Sequence, residues 1–123
     1  MTILEAITRA DLARPNELDP ELKLRWLSAL DGQIHAELLA PYGEGAPSFD
    51  GYGEETELGS TELLAPFPYD ELYLHWLIMR IDLAHGELER YNNDALAFNR
   101  ILRSYAGHYT HNHTPVGETA LRF

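Results

Sequence analysis

The chain has 123 residues, 45% of them hydrophobic, and a formal net charge of −11. That length suits one domain with a modest core, and that hydrophobic content argues against disorder throughout. Twenty acidic residues against nine basic ones, with no cysteine, argue against a basic nucleic-acid-binding surface, disulfides, thiol nucleophiles and thiolate metal sites.

No apolar run reaches membrane-spanning length; the longest apolar-looking stretch, Leu72 to Ile78, is interrupted by His75. The opening Met1-Thr-Ile-Leu-Glu lacks the basic-then-apolar profile of a signal peptide. The cytoplasm is therefore the expected compartment. An acidic surface keeps a chain soluble; it also repels phosphate, so it is compatible with a protein past which DNA slides.

Thr2 followed by Glu5 reads as a capping box. Ile3, Leu4, Ile7 and Ala10 give the first helix an apolar face, and Pro15 should end it near Ala13. Asp19 then Pro20 is an N-cap followed by proline at the first helical position. The second helix should run to about Ala40, where Pro41 stops it, with Leu27, Leu30, Ile34 and Leu38 on one face and Trp26 beside them. These two helices should form a hairpin.

Residues 41–69 hold five of the nine glycines and four of the seven prolines. They carry many acids and no lysine or arginine. A connection of this length tends to be functional or disordered. Its aromatics (Tyr42, Phe49, Tyr52, Phe67, Tyr69) exceed what a solvated linker needs. Two readings stand: an acidic arm ordered by docking on a neighbouring subunit, or a surface loop whose aromatics tuck onto its own core.

From Asp70 to Ala106, apolar or small residues recur at alternating spacings of three and four: Leu74, Leu77, Ile81, Ala84, Leu88, Tyr91, Ala95, Phe98, Leu102, Tyr105. Gly86, Asn92 and Asn93 fall off this seam. The pattern predicts one long helix of about 54 Å at 1.5 Å per residue. The plainer alternative is two bundle helices joined at Gly86 or Asn93. Gly107 should end the helix, leaving 107–123 as a flexible tail behind a helical domain of residues 1–106. The predicted fold is thus all-α: an N-terminal helix hairpin, an acidic Gly/Pro-rich arm and one long C-terminal helix.

No catalytic constellation emerges. His108, His111 and His113 have the residue type of a metal site, but the spacing H-x-x-H-x-H matches no compact geometry. His85 and Glu89 fit a surface i,i+4 pair on a helix. Glu71 lies four residues before His75, not the three of the helix-bundle di-metal motif. Gly43-Glu-Gly45 and Gly51-Tyr-Gly53 neither follow a strand nor open a helix. No metal or cofactor is expected.

Taken together, Thr2-Ile-Leu-Glu-Ala-Ile-Thr-Arg-Ala-Asp, Arg14-Pro-Asn, Leu24-Arg-Trp-Leu-Ser-Ala-Leu-Asp-Gly-Gln-Ile, Leu63-Leu-Ala-Pro-Phe-Pro-Tyr-Asp-Glu-Leu-Tyr, Ile81-Asp, Glu89-Arg-Tyr-Asn-Asn-Asp and Phe98-Asn resemble small structural proteins of tailed phages and prophages, of the head–tail connector (adaptor) type. The resemblance spans roughly residues 1 to 106 and supplies no active-site residues. It implies a non-enzymatic subunit that joins a ring of copies at the portal, contacts other head–tail proteins and lets DNA pass without specific binding. It also implies assembly in the bacterial host cytoplasm and residence in the virion, with no membrane partner.

On that reading Leu64, Phe67 and Tyr69 are candidate arm anchors, and Tyr91, Phe98 and Tyr105 candidate contacts of the distal helix. Two other classes compete. One is a monomeric acidic binding module, a regulator or DNA mimic, motivated by the acidic run Glu54 to Glu62. The other is an enzyme using the histidines.

Overall fold

The computed structural model describes residues 1–42 and 48–112. Their regular secondary structure is all helical, and no strand occurs among them. Helix α1 spans Ile3–Ala13 and α2 spans Pro20–Ile34. Helix α2 continues through a π-turn at His35–Leu39 and a last short turn, Ala40–Tyr42. A 3₁₀ turn, Tyr69–Glu71, leads into α3, Leu72–Ala84, and α4 covers Leu88–Asn112.

Local chemistry sets the helix starts. The Thr2 hydroxyl accepts the Glu5 N–H at 3.1 Å, and Asp19 accepts the Glu21 N–H at 3.0 Å. Each side chain satisfies one of the N–H groups that a helix leaves unpaired at its start. The first two N–H groups of α1 go to a later segment of the chain: Ile3 donates to the Thr61 carbonyl at 3.1 Å and Leu4 to the Leu58 carbonyl at 2.9 Å.

Pro41 does not stop α2 as expected. In a regular helix its ring would meet the Glu37 carbonyl. Here the Ala40 N–H donates to the His35 carbonyl, five residues back. The widened turn lets the chain pass Pro41 and reach Tyr42.

The expected single long helix is broken at Gly86. Gly86 adopts φ +73°. Its N–H donates to the Leu83 carbonyl at 3.1 Å, and the Glu87 N–H reaches back to the Asp82 carbonyl at 2.9 Å. This is a Schellman ending, which a left-handed glycine completes at no steric cost. The unbroken apolar spacing is real, but it belongs to two helices whose apolar faces pack on each other.

Gly107 does not end α4. The helix continues to Asn112, so the expected tail begins no earlier than the end of that helix, and 113–123, with His113, lie outside the described residues.

These two glycines predict opposite responses to one substitution. Among the described residues, nothing beyond the glycine's own neighbours and its own helix backbone lies within 4 Å of a Cβ added at either position, so backbone preference decides. Gly86→Ala forces alanine into a left-handed conformation and should cost about 1–2 kcal/mol. Gly107→Ala, inside a helix, should stabilise by about 0.5–1 kcal/mol. Urea midpoints of the two variants should move in opposite directions; equal shifts would contradict the break at Gly86.

Helix α3 is the centre of the molecule. Leu72, Tyr73, Leu77, Ile78, Met79 and Ile81 are buried, so it is apolar around most of its circumference, as a central helix must be. Helices α1 and α2 pack against it, and α4 packs along it through Phe98, Leu102, Tyr105 and Ala106.

Four charged side chains are buried among the described residues, each with an ionic or hydrogen-bonding partner; Asp70, at the entry to α3, lies 3.4 Å from the Met1 amino group. Lys23 on α2, 2% exposed, meets Asp11 of α1 at 2.9 Å. Asp82 on α3 accepts Arg14 Nε at 2.9 Å. Arg14 also approaches Asp94 at 3.5 Å, and Asp94 meets His75 Nδ1 at 3.2 Å. This cluster clamps the end of α1, the end of α3 and the first turns of α4 together. The remaining buried charge, Asp31, organises the surface segment described next.

Candidate interaction surface

Residues 48–68 form a strap that lies on the chain's own α1 and α2. The docking expected on a neighbouring subunit therefore does not account for its order. Phe49 sits against His35 at 6.1 Å between ring centroids and meets Tyr52 edge-on at 5.1 Å. The Tyr52 N–H donates to Ser28 Oγ at 3.0 Å. At Gly51, φ is +94° and an added Cβ would lie 2.7 Å from that same Ser28 oxygen. Only glycine fits both the backbone and the close approach.

Asp31 is the anchor. It is fully buried on α2. Its carboxylate accepts the Tyr52 hydroxyl, the Tyr73 hydroxyl at 2.5 Å and the Leu64 N–H at 3.1 Å. The Tyr73 oxygen in turn accepts the Ala65 N–H at 2.7 Å. One carboxylate thus joins both ends of the strap to α2 and α3, and pairing of this kind is what makes a buried charge tolerable.

Burial pushes the Asp31 carboxyl above its ordinary value, while the two hydroxyls and the Leu64 N–H pull it back part of the way. The Tyr52 and Tyr73 hydroxyls are pushed up, first by burial and then by the negative charge of Asp31. All three groups therefore hold their protons more tightly than in the unfolded chain. The arrangement contains no activated nucleophile; it fastens a segment.

The strap ends at Pro66-Phe67-Pro68. The Tyr69 N–H closes a turn on the Pro66 carbonyl at 2.8 Å, and the prolines restrict φ on both sides of Phe67. Phe67 is held out at 86% exposure. Tyr69 turns inward and packs its ring 5.4 Å from both Tyr105 and His108.

The other sequence-predicted candidates divide. Leu64 and Tyr91 are half-buried. Phe98 and Tyr105 are buried at 6% and 2% exposure: Phe98 lies 5.2 Å from Trp76, and Tyr105 stacks on Tyr69. These two are core residues of the α3–α4 hairpin, so they are not available to a partner. Of the six, Phe67 alone stands fully in solvent.

Leu12 and Leu96, large apolar side chains that sequence reasoning passed over, are exposed at 78% and 71%, and Leu88, expected on the buried seam, is exposed at 61% because it opens α4 just after the Gly86 turn. The signal was present for Leu96, which sits three residues after Asn93 and four before Arg100, on the polar side of the helical pattern.

An open groove of about 480 Å³ lies between α2 and the strap, lined by Glu21, Leu24, Arg25, Tyr52, Glu54 and Leu58 among others. Its rim mixes both signs of charge and so selects no one ligand class. Among the described residues no three His, Asp or Glu side chains are grouped to hold a metal ion. His85 and Glu89 lie on either side of the Gly86 turn and do not share a helix. No described helix is long and apolar enough to cross a membrane. No known protein family, curated protein or solved structure matches the chain.

Proposed function

We propose that this chain is a non-enzymatic structural subunit of a tailed phage or prophage, of the head–tail connector type, which assembles with copies of itself at the portal and lets DNA pass. The observation that carries the assembly reading is Phe67, a phenyl ring 86% exposed at the end of an ordered strap and flanked by two prolines. Where the flanking prolines already restrict the backbone, less chain freedom is lost on docking, and aromatic anchors carry much of the energy of interfaces. The sequence resemblance narrows assembly to the connector class. In this reading the acidic strap is the contact arm, and the protein acts in the host cytoplasm and then in the virion.

Phe67→Ala tests it. The ring is 86% exposed, so the unfolding free energy should stay within about 0.5 kcal/mol of wild type. Association with itself or with a purified portal should weaken by about tenfold or more, the effect of losing one interface anchor. Unchanged association would remove Phe67 from the interface.

A second reading has its own observation. Glu54, Glu55 and Glu57 are exposed on the strap, and no ion pair holds them among the described residues. A monomeric acidic module that binds one basic protein would use such a surface. Tight, salt-sensitive 1:1 binding without self-assembly would favour it.

A further inference from the structure

We propose that the outer face of α4 around Leu96, Arg100 and Arg103 docks onto the acidic turn of the strap, Glu54 to Glu57, in a second copy of this chain. This rests on the self-assembly reading above and adds which two faces meet.

Leu96, Arg100 and Arg103 follow one another at helical spacings of four and three, so they share a face. That face points away from Phe98, Leu102 and Tyr105, which bury the opposite side of α4 against α3. Leu96 is 71% exposed, and both arginines are exposed. From Ala95 to Asn112 the helix carries no acidic residue. Arg100 and Arg103 have no ion-pair partner among the described residues, although the chain carries more than twice as many acids as bases.

The strap is the reverse case. No lysine or arginine occurs between Arg25 and Arg80. Glu54, Glu55 and Glu57 stand exposed on a turn closed by the Thr56 N–H on the Gly53 carbonyl at 3.0 Å.

The fold keeps these two surfaces apart. The strap rests on the start of α1 and on α2, which pack against α3, while α4 packs along α3. Within one copy the arginines and glutamates form no pair. Between copies they complement each other, and Leu96 supplies an apolar contact one turn before Arg100. A two-fold dimer through either face would set like charges together, which is unfavourable. A contact between two different faces repeats from copy to copy, and it closes into a ring or runs on as a filament.

The test is sedimentation velocity of the full chain, Arg100→Glu/Arg103→Glu, Glu54→Lys/Glu57→Lys, and a 1:1 mixture of the two variants, with circular dichroism to show that each is folded. Wild type should self-associate at low salt and weaken at least tenfold at about 0.5 M salt, where screening is strong. Each variant alone should associate at least tenfold more weakly, and the mixture should recover, because each reversed face then finds its opposite on the other variant. Wild type that stays monomeric at every concentration in low salt, or self-association untouched by both reversals, overturns the proposal. The connector reading is separable. Charge-dependent self-association by a chain that no portal captures would leave the docking standing and the connector assignment not. Reversal-insensitive assembly on a portal would do the opposite.

Discussion

Asp31→Ala is expected to lower the unfolding free energy by about 3 kcal/mol. Three donors would lose their acceptor: the Tyr52 and Tyr73 hydroxyls and the Leu64 N–H. Each stranded buried donor costs about 1–3 kcal/mol, and relief from burying a carboxylate offsets part of the sum. Tyr52→Phe removes one of those bonds and should cost about 1 kcal/mol. It should also loosen the strap, raising amide exchange at Leu64 and Ala65.

The pH dependence has a definite sign. Asp31 has its folded value raised by burial above the ordinary 3.8. The unfolded chain therefore loses this proton first as pH rises, and stability falls from 3.8 up through the folded value. Wild type should gain stability relative to Asp31→Asn as pH is lowered through that window, and the gain should level off below 3.8. Urea unfolding of both proteins at several pH values checks it. A difference that shrinks on acidification would mean that hydrogen bonding, not burial, dominates the site.

Arg14→Ala is expected to cost about 3 kcal/mol. Asp82 is buried on α3, its side chain 1% exposed, and Arg14 Nε is its charge partner at 2.9 Å. Its second oxygen has no hydrogen-bond partner among the described residues. Removing one member of a buried pair leaves an uncompensated charge, at about 3–5 kcal/mol. The lower end applies because the Arg14 side chain is 30% exposed, so water can replace part of its contribution. Arg14→Lys should recover only part of the loss, since a single ammonium cannot reach Asp82 and Asp94 as a guanidinium fork does. Asp82→Ala made together with Arg14→Ala should be less harmful than the sum of the two single variants, and the cycle measures the coupling. Additive effects would mean that the pair does not act as a unit.

The parts of this fold that were legible in the sequence are the local ones. Thr2 and Asp19-Pro20 announce helix starts because a cap is made within three residues. The helical class follows from spacing alone. The sequence left two helices joined at Gly86 only as the alternative to one long helix, because a glycine that terminates a helix is itself exposed and lies off the apolar seam in either arrangement; the seam continues whether the chain runs straight or folds back. The fold-back also explains Phe98 and Tyr105. An apolar face announces that something covers it, and here the cover is α3 of the same chain.

The buried charges had a readable signal. Asp31 lies four residues after Leu27 and three before Ile34, Lys23 four before Leu27, and Asp82 four after Ile78, all on apolar faces. Their partners were not readable, because Asp11, Arg14, Tyr52 and Tyr73 come from other elements. The same holds for the strap. Its aromatics implied a docking site, but that site is Ser28 and Asp31, which only the tertiary fold brings beneath it.

The most direct test of the assembly claim is the solution mass of the wild-type chain by light scattering over a wide concentration range, alone and with a purified portal protein, with negative-stain images of the most concentrated samples. The account predicts rings or a defined large oligomer, alone or on the portal. A strict monomer under both conditions would contradict it and move the acidic binding module to first place.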